Sequence, residues 1–144
     1  MTAILPDTDY DTLRRLGVQA GLEPGVAPGV EALAGWRAVQ DGRTVGGVML
    51  ERLDGRLLVG WLWVDPELRR RGLGGRLVAT VVAEARRRGA GTLWAVARVP
   101  ALFLRHEFTP VPDGPDRDRL LGTCLECTQR GSTCHPEPVV RQLT

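Results

Sequence analysis

The sequence predicts one α/β (α+β) domain in which helices flank a central mixed sheet. Residues 57–64 are continuously apolar, which is typical of a central strand covered on both faces. Residues 74–88 carry apolar side chains at helical spacing, which predicts a long amphipathic helix. An Asp-Gly pair at 41–42 separates 36–40 from 44–51, which predicts a hairpin. Strands and helices that alternate in this way indicate an α/β domain.

The remaining elements are predicted from caps, chain breakers and short apolar runs. Aspartates within 7–11 supply an N-cap and negative charge for a helix that extends to about Ala20. Residues 21–35 are rich in glycine and proline, so we predict a loop there, with a helical turn near 30–33. Beyond the long helix we expect, in order, a strand at 92–97, a short helix at 100–106, a strand at 108–111 and a polar tail from Asp113.

Composition and charge narrow the range of partners. Apolar residues make up 43% and charged residues 25%, as in an ordinary globular protein, and the net charge of +2 is too small to indicate nucleic-acid binding. All 19 basic residues are arginine, which we interpret as a compositional bias. No apolar run reaches the ~18 residues that a membrane helix needs, and the first residues lack the pattern of a secretory signal. We therefore expect a cytoplasmic protein with no nucleic-acid and no membrane partner.

A segment rich in arginine and glycine opens the long helix and is the strongest candidate for a binding site. The first N–H groups of a helix have no intrahelical partner, so together with the helix dipole they favour an anion such as a diphosphate. Arginine side chains add charge-assisted hydrogen bonds. The predicted cofactor-binding residues of this segment are Arg69, Arg70, Arg71, Gly72, Leu73, Gly74, Gly75 and Arg76.

Two other phosphate-binding motifs are excluded by spacing. A dinucleotide fingerprint requires a third glycine where Leu77 stands, and an acidic residue about 20 residues further on. The strand predicted at 92–97 contains no acidic residue. A P-loop requires a lysine, and the chain has none. The segment therefore predicts a diphosphate site of another kind.

What remains closely resembles the acetyl-coenzyme A motif of the GNAT N-acetyltransferase superfamily, Gln/Arg-x-x-Gly-x-Gly/Ala, which Arg69, Gly72 and Gly74 match. The resemblance covers about residues 4–112 and includes the flanking hairpin and the late helix that precedes Phe108. Within the superfamily, the chain looks most like short amino-acid acetyltransferases related to N-acetylglutamate synthase and to an arsenic-resistance group.

The resemblance implies both a fold and a reaction. The fold is the GNAT fold, with a mixed, mostly antiparallel sheet, as a single domain over residues 1–144 on which 112–144 pack as an extension. The reaction is transfer of acetyl from acetyl-coenzyme A to the amine of a small molecule, amino acids among the candidates, by direct attack in a ternary complex. It requires no metal, and a homodimer is compatible with the resemblance. The alternative is a catalytically weak module that binds acyl-coenzyme A as a sensor or regulatory partner.

The sequence offers fewer candidates for catalytic residues than for cofactor-binding residues. By analogy with the family, a backbone N–H near Trp63 or Val64 stabilises the negative charge that develops on the carbonyl oxygen, so both residues join the predicted cofactor site. Glu51, at the end of the strand before 57–64, is the candidate general base, and the alternative is a solvated carboxylate at a strand end. Phe103 stands where many family members carry a tyrosine, so no general acid is recognisable.

Three cysteines in the tail form a second cluster. Cys124, Cys127 and Cys134 are followed by His135, and these residue types suit zinc. Adjacent residues such as Cys134 and His135 rarely point at one metal, however, so we favour the cysteines as small apolar fillers. A disulfide is disfavoured in a reducing cytoplasm.

Glycine and tryptophan mark two further features of the predicted strands. Gly60 interrupts the apolar run, which predicts a bulge or a close approach of another group to the backbone. The tryptophans are interpreted as core residues or as walls of an acceptor pocket, and they are Trp36, Trp61, Trp63 and Trp94.

Overall fold

A seven-stranded sheet is the central element of the computed structural model, which describes residues 2–22, 28–69, 71–121 and 137–143. Within these ranges the strands are β1 (Ala3–Pro6), β2 (Glu31–Gln40), β3 (Arg43–Leu53), β4 (Arg56–Val64), β5 (Thr92–Ala97), β6 (Thr109–Pro110) and β7 (Glu137–Gln142). The helices are α1 (Tyr10–Gln19), α2 (Leu73–Arg87), α3 (Pro100–Leu104) and α4 (Pro115–Leu121), and a 3₁₀ turn covers Pro66–Leu68. None of these helices is long and apolar enough to cross a membrane.

The sheet is mixed and mostly antiparallel, as predicted. Its strand order is β1-β2-β3-β4-β5-β7-β6, and β4 and β5 form the one parallel pair among the described strands. The side-chain position of Gly17 on α1 lies 3.6 Å from the Trp63 ring, whereas that of Gly74 on α2 lies 3.9 Å from Val64. Because consecutive strand residues point to opposite faces, α1 and α2 cover opposite faces of the sheet.

A bulge in β4 bends the strand near its middle. Gly47 pairs with Trp63 and Met49 pairs with Gly60, so β4 carries one more residue than β3 over this stretch. Trp61 absorbs the extra length with a φ of +53°, a left-handed conformation that is strained for a bulky side chain. The bulge that Gly60 predicted is therefore confirmed, and it turns the end of β4 away from its neighbour.

The parallel pair β4 and β5 separates beyond the bulge. Only Leu58 with Trp94 and Val59 with Ala95 are paired, although β4 continues to Val64 and β5 to Ala97. The two strand ends enclose a cleft in which their facing backbone groups do not bond to each other. The prediction that 57–64 is covered on both faces is wrong for its second half, because the diverging strand leaves 60–64 half-buried.

The apolar stripe of α2 is confirmed as the face that packs on the sheet. All six predicted residues are buried, and they are Leu73, Leu77, Val78, Val81, Val82 and Ala85. They form one core cluster with Val48 and Leu50 of β3. A Leu77 side chain that is fully buried in this way contributes about 2–5 kcal/mol relative to alanine. Packing of this face holds the N-terminus of α2 at the end of β4.

The N-terminal third of the chain differs from the prediction in two places. β1 was not predicted, because it is a short edge strand whose residues are mostly exposed. The helical turn expected near 30–33 is wrong, since Glu31 pairs with Arg52 and Ala32 with Glu51 in extended conformation. Pairing with a strand some 20 residues away in the chain overrides the local preference.

The C-terminal part of the chain contributes a strand to the sheet. β7 lies between β5 and β6 and pairs with β5 from Thr92 with Gln142 to Ala97 with Glu137. The sequence instead predicted that 112–144 pack on the domain as an extension. The apolar pair at 139–140 is too short to identify a strand locally, and it is the partner β5 that holds these residues in the sheet.

Candidate active site

The N-terminus of α2 has the features of an anion-binding site. Gly72 is the N-cap, with a left-handed φ of +82°, and no side chain caps the helix. A Cβ built on Gly72 meets nothing within 4 Å, so this position is open. The first i→i−4 hydrogen bond runs from Arg76 N–H to Gly72 O at 3.1 Å. The N–H groups of residues 73–75 therefore have no intrahelical acceptor, and the first turn contains no acidic residue to oppose an anion.

The predicted arginines surround this helix start unequally. Arg69 and Arg71 are exposed beside it, and Arg69 Nε donates to Val64 O at 3.3 Å. Arg76 instead donates to Thr2 O at 3.1 Å and so is engaged with the N-terminal segment. Arg70 lies outside the described residues, as do Cys124, Cys127, Cys134 and His135.

The second and third glycines of the motif also serve the packing of α3. A Cβ on Gly74 would lie 3.2 Å from Leu102, and a Cβ on Gly75 would lie 2.5 Å from His106 Nε2. The sequence analysis explained these glycines only by the room they leave for a ligand to approach the backbone. In the structure, the missing side chain that opens to solvent is that of Gly72, whereas Gly74 and Gly75 let α3 and His106 lie close to the helix.

Phe103 and Glu107, near α3, are both accommodated by the fold. Phe103 is 6% exposed and packs edge-on against Phe108 with ring centroids 5.2 Å apart, so the core offers no proton donor at this position. Glu107, which precedes Phe108, adopts a φ of +68°. Its carboxylate pairs with Arg141 Nη2 of β7 at 2.7 Å.

Glu51 is buried on the face of the sheet that α1 covers. Glu51 is 8% exposed, and its Oε2 has no hydrogen-bond partner within the described part of the chain. The carboxylate lies directly over Gly60 at the bulge, where a Cβ would collide with it. The alternative of a solvated carboxylate at a strand end is therefore wrong. The absence of a side chain at Gly60 is what makes room for the acid.

Burial sets the proton affinity of Glu51. Desolvation raises the pKa of this carboxyl from 4.5 to about 7, while the charge of Arg14 and a hydrogen bond from Trp61 act in the opposite direction. A group with a pKa near the ambient pH exchanges protons most efficiently. Glu51 is consequently suited to accept a proton at neutral pH.

The backbone of β4 presents Val64 and not Trp63 to the cleft. Asp65 N–H donates to Val45 O of β3 at 2.8 Å. Backbone groups of a strand alternate in direction, so those of Trp63 also point toward β3 and those of Val64 point toward the β5 side. Of the two N–H groups considered from the sequence, Val64 N–H is the one that faces the space between the diverging strands.

Of the tryptophans, Trp36 is a core residue, at 8% exposed, and the other three are half-buried on their strands. Trp61 and Trp63 lie on the α1 face. The sequence analysis missed Arg14, which is half-buried on α1 and acts on Glu51 through its charge. No local signal marked Arg14, because the burial of Gly17 one turn later is visible only in the structure.

Gly60→Ala tests whether the glycine exists to admit Glu51. The substitution should destabilise the protein by roughly 1–3 kcal/mol, because the new methyl group overlaps the carboxylate. The cost should be largely removed when Glu51→Ala is introduced together with it, since the two side chains then no longer compete for space. Urea unfolding of the two single variants and the double variant measures this coupling. Additive costs would contradict the contact.

Glu51→Gln should raise stability in a pH-dependent way. The pKa of Glu51 is raised on folding, so between pH 4.5 and 7 the folded state retains a proton that the unfolded state has lost. Stability therefore falls as pH rises through this window, by up to about 3 kcal/mol. The glutamine variant has no such loss. Its free energy of unfolding should match that of the parent near pH 4.5 and exceed it at pH 8, and an equal difference at both pH values would contradict the assignment.

Comparison with known proteins assigns the class. On this fold, a parallel strand pair opens toward an uncapped, glycine-rich helix start, and the family match makes the chain an acetyltransferase. The sequence profile of the acetyltransferase (GNAT) family matches residues 12–108, and the chain belongs to this family. No curated protein matches the chain by sequence.

Solved structures share the fold at low sequence identity. N-acetylglutamate synthase from Neisseria gonorrhoeae, complexed with coenzyme A and N-acetyl-glutamate, is 18% identical with a TM-score of 0.68, over 100% of this chain and 35% of that chain. Rv2747 from Mycobacterium tuberculosis, in complex with coenzyme A, is 16% identical with a TM-score of 0.71, over 99% of both chains. The ribosomal-protein-S18-alanine N-acetyltransferase from Escherichia coli is 16% identical with a TM-score of 0.69, over 100% of this chain and 95% of that chain. The chain thus spans about a third of the first protein and nearly all of the other two.

Proposed function

We propose that this protein transfers acetyl from acetyl-coenzyme A to the amine of a small molecule by direct attack in a ternary complex. The observation that carries the proposal is the position of Glu51, a buried carboxyl with a pKa of about 7 at the bulge from which β4 and β5 diverge. The open helix start at Gly72 lies beyond the other end of the same strand. A proton acceptor and an anion site are therefore joined by one cleft.

The open helix start is suited to hold the diphosphate of the cosubstrate. The N–H groups of residues 73–75 and the side chains of Arg69 and Arg71 supply donors and positive charge there. The thioester would then lie along the β4–β5 cleft. The proposal calls for no metal ion, because the proton acceptor and the oxyanion donor both come from the chain.

In this proposal the chain supplies a proton acceptor and an oxyanion donor for the transfer. Glu51 accepts a proton from the ammonium form of the acceptor, which leaves a neutral nitrogen lone pair. The nitrogen attacks the thioester carbonyl carbon, a C–N bond forms, and the C–S bond breaks as the thiolate leaves, while the nitrogen gives its remaining excess proton to water. Val64 N–H is positioned to donate to the oxygen that becomes negative. Phe103 carries no proton, so the thiolate takes its proton from water.

Because Phe103 offers no proton donor, a second function has to be tested. A protein without a general acid could bind acyl-coenzyme A and release little thiol, acting as a sensor or regulatory partner. The transferase proposal predicts that thiol appears at the same rate as acetylated amine, whereas the binding module would bind coenzyme A with no thiol release.

The experiment incubates the full chain with acetyl-coenzyme A and a panel of small amines, amino acids first. Thiol release is followed with a thiol reagent, and the acetylated product is identified by mass. Coenzyme A affinity is measured in parallel by calorimetry. Tight binding without any acetylated product across the panel would contradict the transferase proposal and support the module.

A further inference from the structure

Three side-chain polar atoms on one face of the sheet are buried without a hydrogen-bond partner in the described ranges. They are Arg14 Nε on α1, Glu51 Oε2 on β3 and Trp63 Nε1 on β4. Buried polar groups nearly always have partners, and each unsatisfied one costs about 1–3 kcal/mol. Three such atoms in one region make it a candidate site for a polar ligand.

The three residues belong to one region beneath α1. The side-chain position of Gly17 lies 3.2 Å from the Trp61 ring and 3.6 Å from the Trp63 ring. Arg14 is one helical turn before Gly17 and therefore projects from the same side of α1. Its positive charge lowers the pKa of Glu51, in agreement with a position on the side of α1 that covers this carboxylate.

Arg14 and Glu51 attract each other without forming an ion pair. Within the described residues, the ion pair of Arg14 is with Asp11 at 3.5 Å, and the Asp11 side chain is 99% exposed, so solvent screens this contact. Nε of Arg14 and Oε2 of Glu51 thus remain available to a ligand. A ligand with one anionic and one amine group would satisfy both at once.

We infer that the acceptor is an amine that also bears a carboxylate, with Arg14 binding the carboxylate and Glu51 receiving the proton of the amine. This inference rests on the proposed acetyl transfer and names its acceptor class. Trp63 Nε1 is a second donor for the same carboxylate. A single arginine balances one negative charge, so a monoanionic carboxylate fits better than a phosphate dianion, whose excess charge would face Glu51.

The test uses matched acceptors and matched variants. Each proteinogenic L-amino acid is compared with its own carboxamide, which keeps the amine and side chain and removes the charge. Arg14→Met removes the donors at similar length, and Arg15→Met on the exposed face of α1 is the control. Urea unfolding confirms that both variants are folded, and kcat and KM are measured over a pH series so that parent and variants are compared on their high-pH plateaus.

The parent should prefer at least one amino acid over its amide by about tenfold or more in kcat/KM, because a charged hydrogen bond is lost in the amide. Arg14→Met should abolish this preference by raising KM for the acid while kcat changes little, and Arg15→Met should retain it. Equal use of acid and amide by the parent, or a preference that survives Arg14→Met, overturns the inference and leaves the acetyl transfer standing.

Equilibrium binding separates the two proposals when turnover is absent. Calorimetry of the coenzyme A-saturated protein with the same acid and amide pairs should give the same preference and the same loss in Arg14→Met. Binding without preference overturns the carboxylate assignment. Preferential binding of the acid with no thiol release supports the Arg14 site and contradicts only the proposed catalysis.

Discussion

Replacing Glu51 with glutamine should lower kcat by about 100- to 1,000-fold, because the variant retains the shape of the side chain but cannot accept a proton. Coenzyme A affinity should stay unchanged, since the helix start at Gly72 lies at the other end of β4. Steady-state kinetics and calorimetry measure the two quantities. Glu31→Gln, an exposed acid on the neighbouring strand β2, is the matched control and should behave like the parent.

The pH profile distinguishes a proton acceptor from a structural acid. The pKa of Glu51 is about 7, so kcat of the parent should rise with pH through about 7 as the carboxylate forms. Arg14 and Trp61 are the groups that hold this pKa down from the value that burial alone would give. The residual activity of Glu51→Gln should lack this rise. An unchanged profile in the variant would show that another group titrates.

Replacing Gly72 with valine should weaken coenzyme A binding on the order of 100-fold, the equivalent of about 2.7 kcal/mol. The φ of +82° is strained for any L side chain and most of all for a β-branched one. The valine would also stand over the open N–H groups of α2. Gly72→Asn should have a smaller effect, because asparagine tolerates the left-handed conformation.

Gly89 provides the matched control for this experiment. It follows the C-terminus of the same helix with a φ of +78°, and a Cβ there also meets nothing within 4 Å. Gly89→Val should therefore cost comparable stability and leave coenzyme A affinity intact. Acetyl-pantetheine, which lacks the diphosphate, should bind the parent and Gly72→Val equally. Full coenzyme A affinity in Gly72→Val would contradict the diphosphate site.

Local patterns were sufficient for the α2 side of the candidate site. The stripe of α2, its arginine and glycine start and the hairpin turn at 41–42 each depend on residues within one or two turns of chain. Gly60 predicted the bulge from local sequence too, because a glycine inside a strand marks a local irregularity. The predicted sheet and family followed from these elements, and both are confirmed.

The sequence by itself thus determined α1, α2 and α3, the order of the central strands along the chain and the glycine-rich start of α2, because helical periodicity and capping act over short distances. Tertiary structure decided the acceptor side. Glu51 is buried because α1 covers its strand and Gly60 of β4 leaves room for it, and Arg14 approaches it from a helix almost 40 residues earlier. β7 joins the sheet only because β5 is there to pair with it. Such contacts join distant parts of the chain, and no local pattern encodes them.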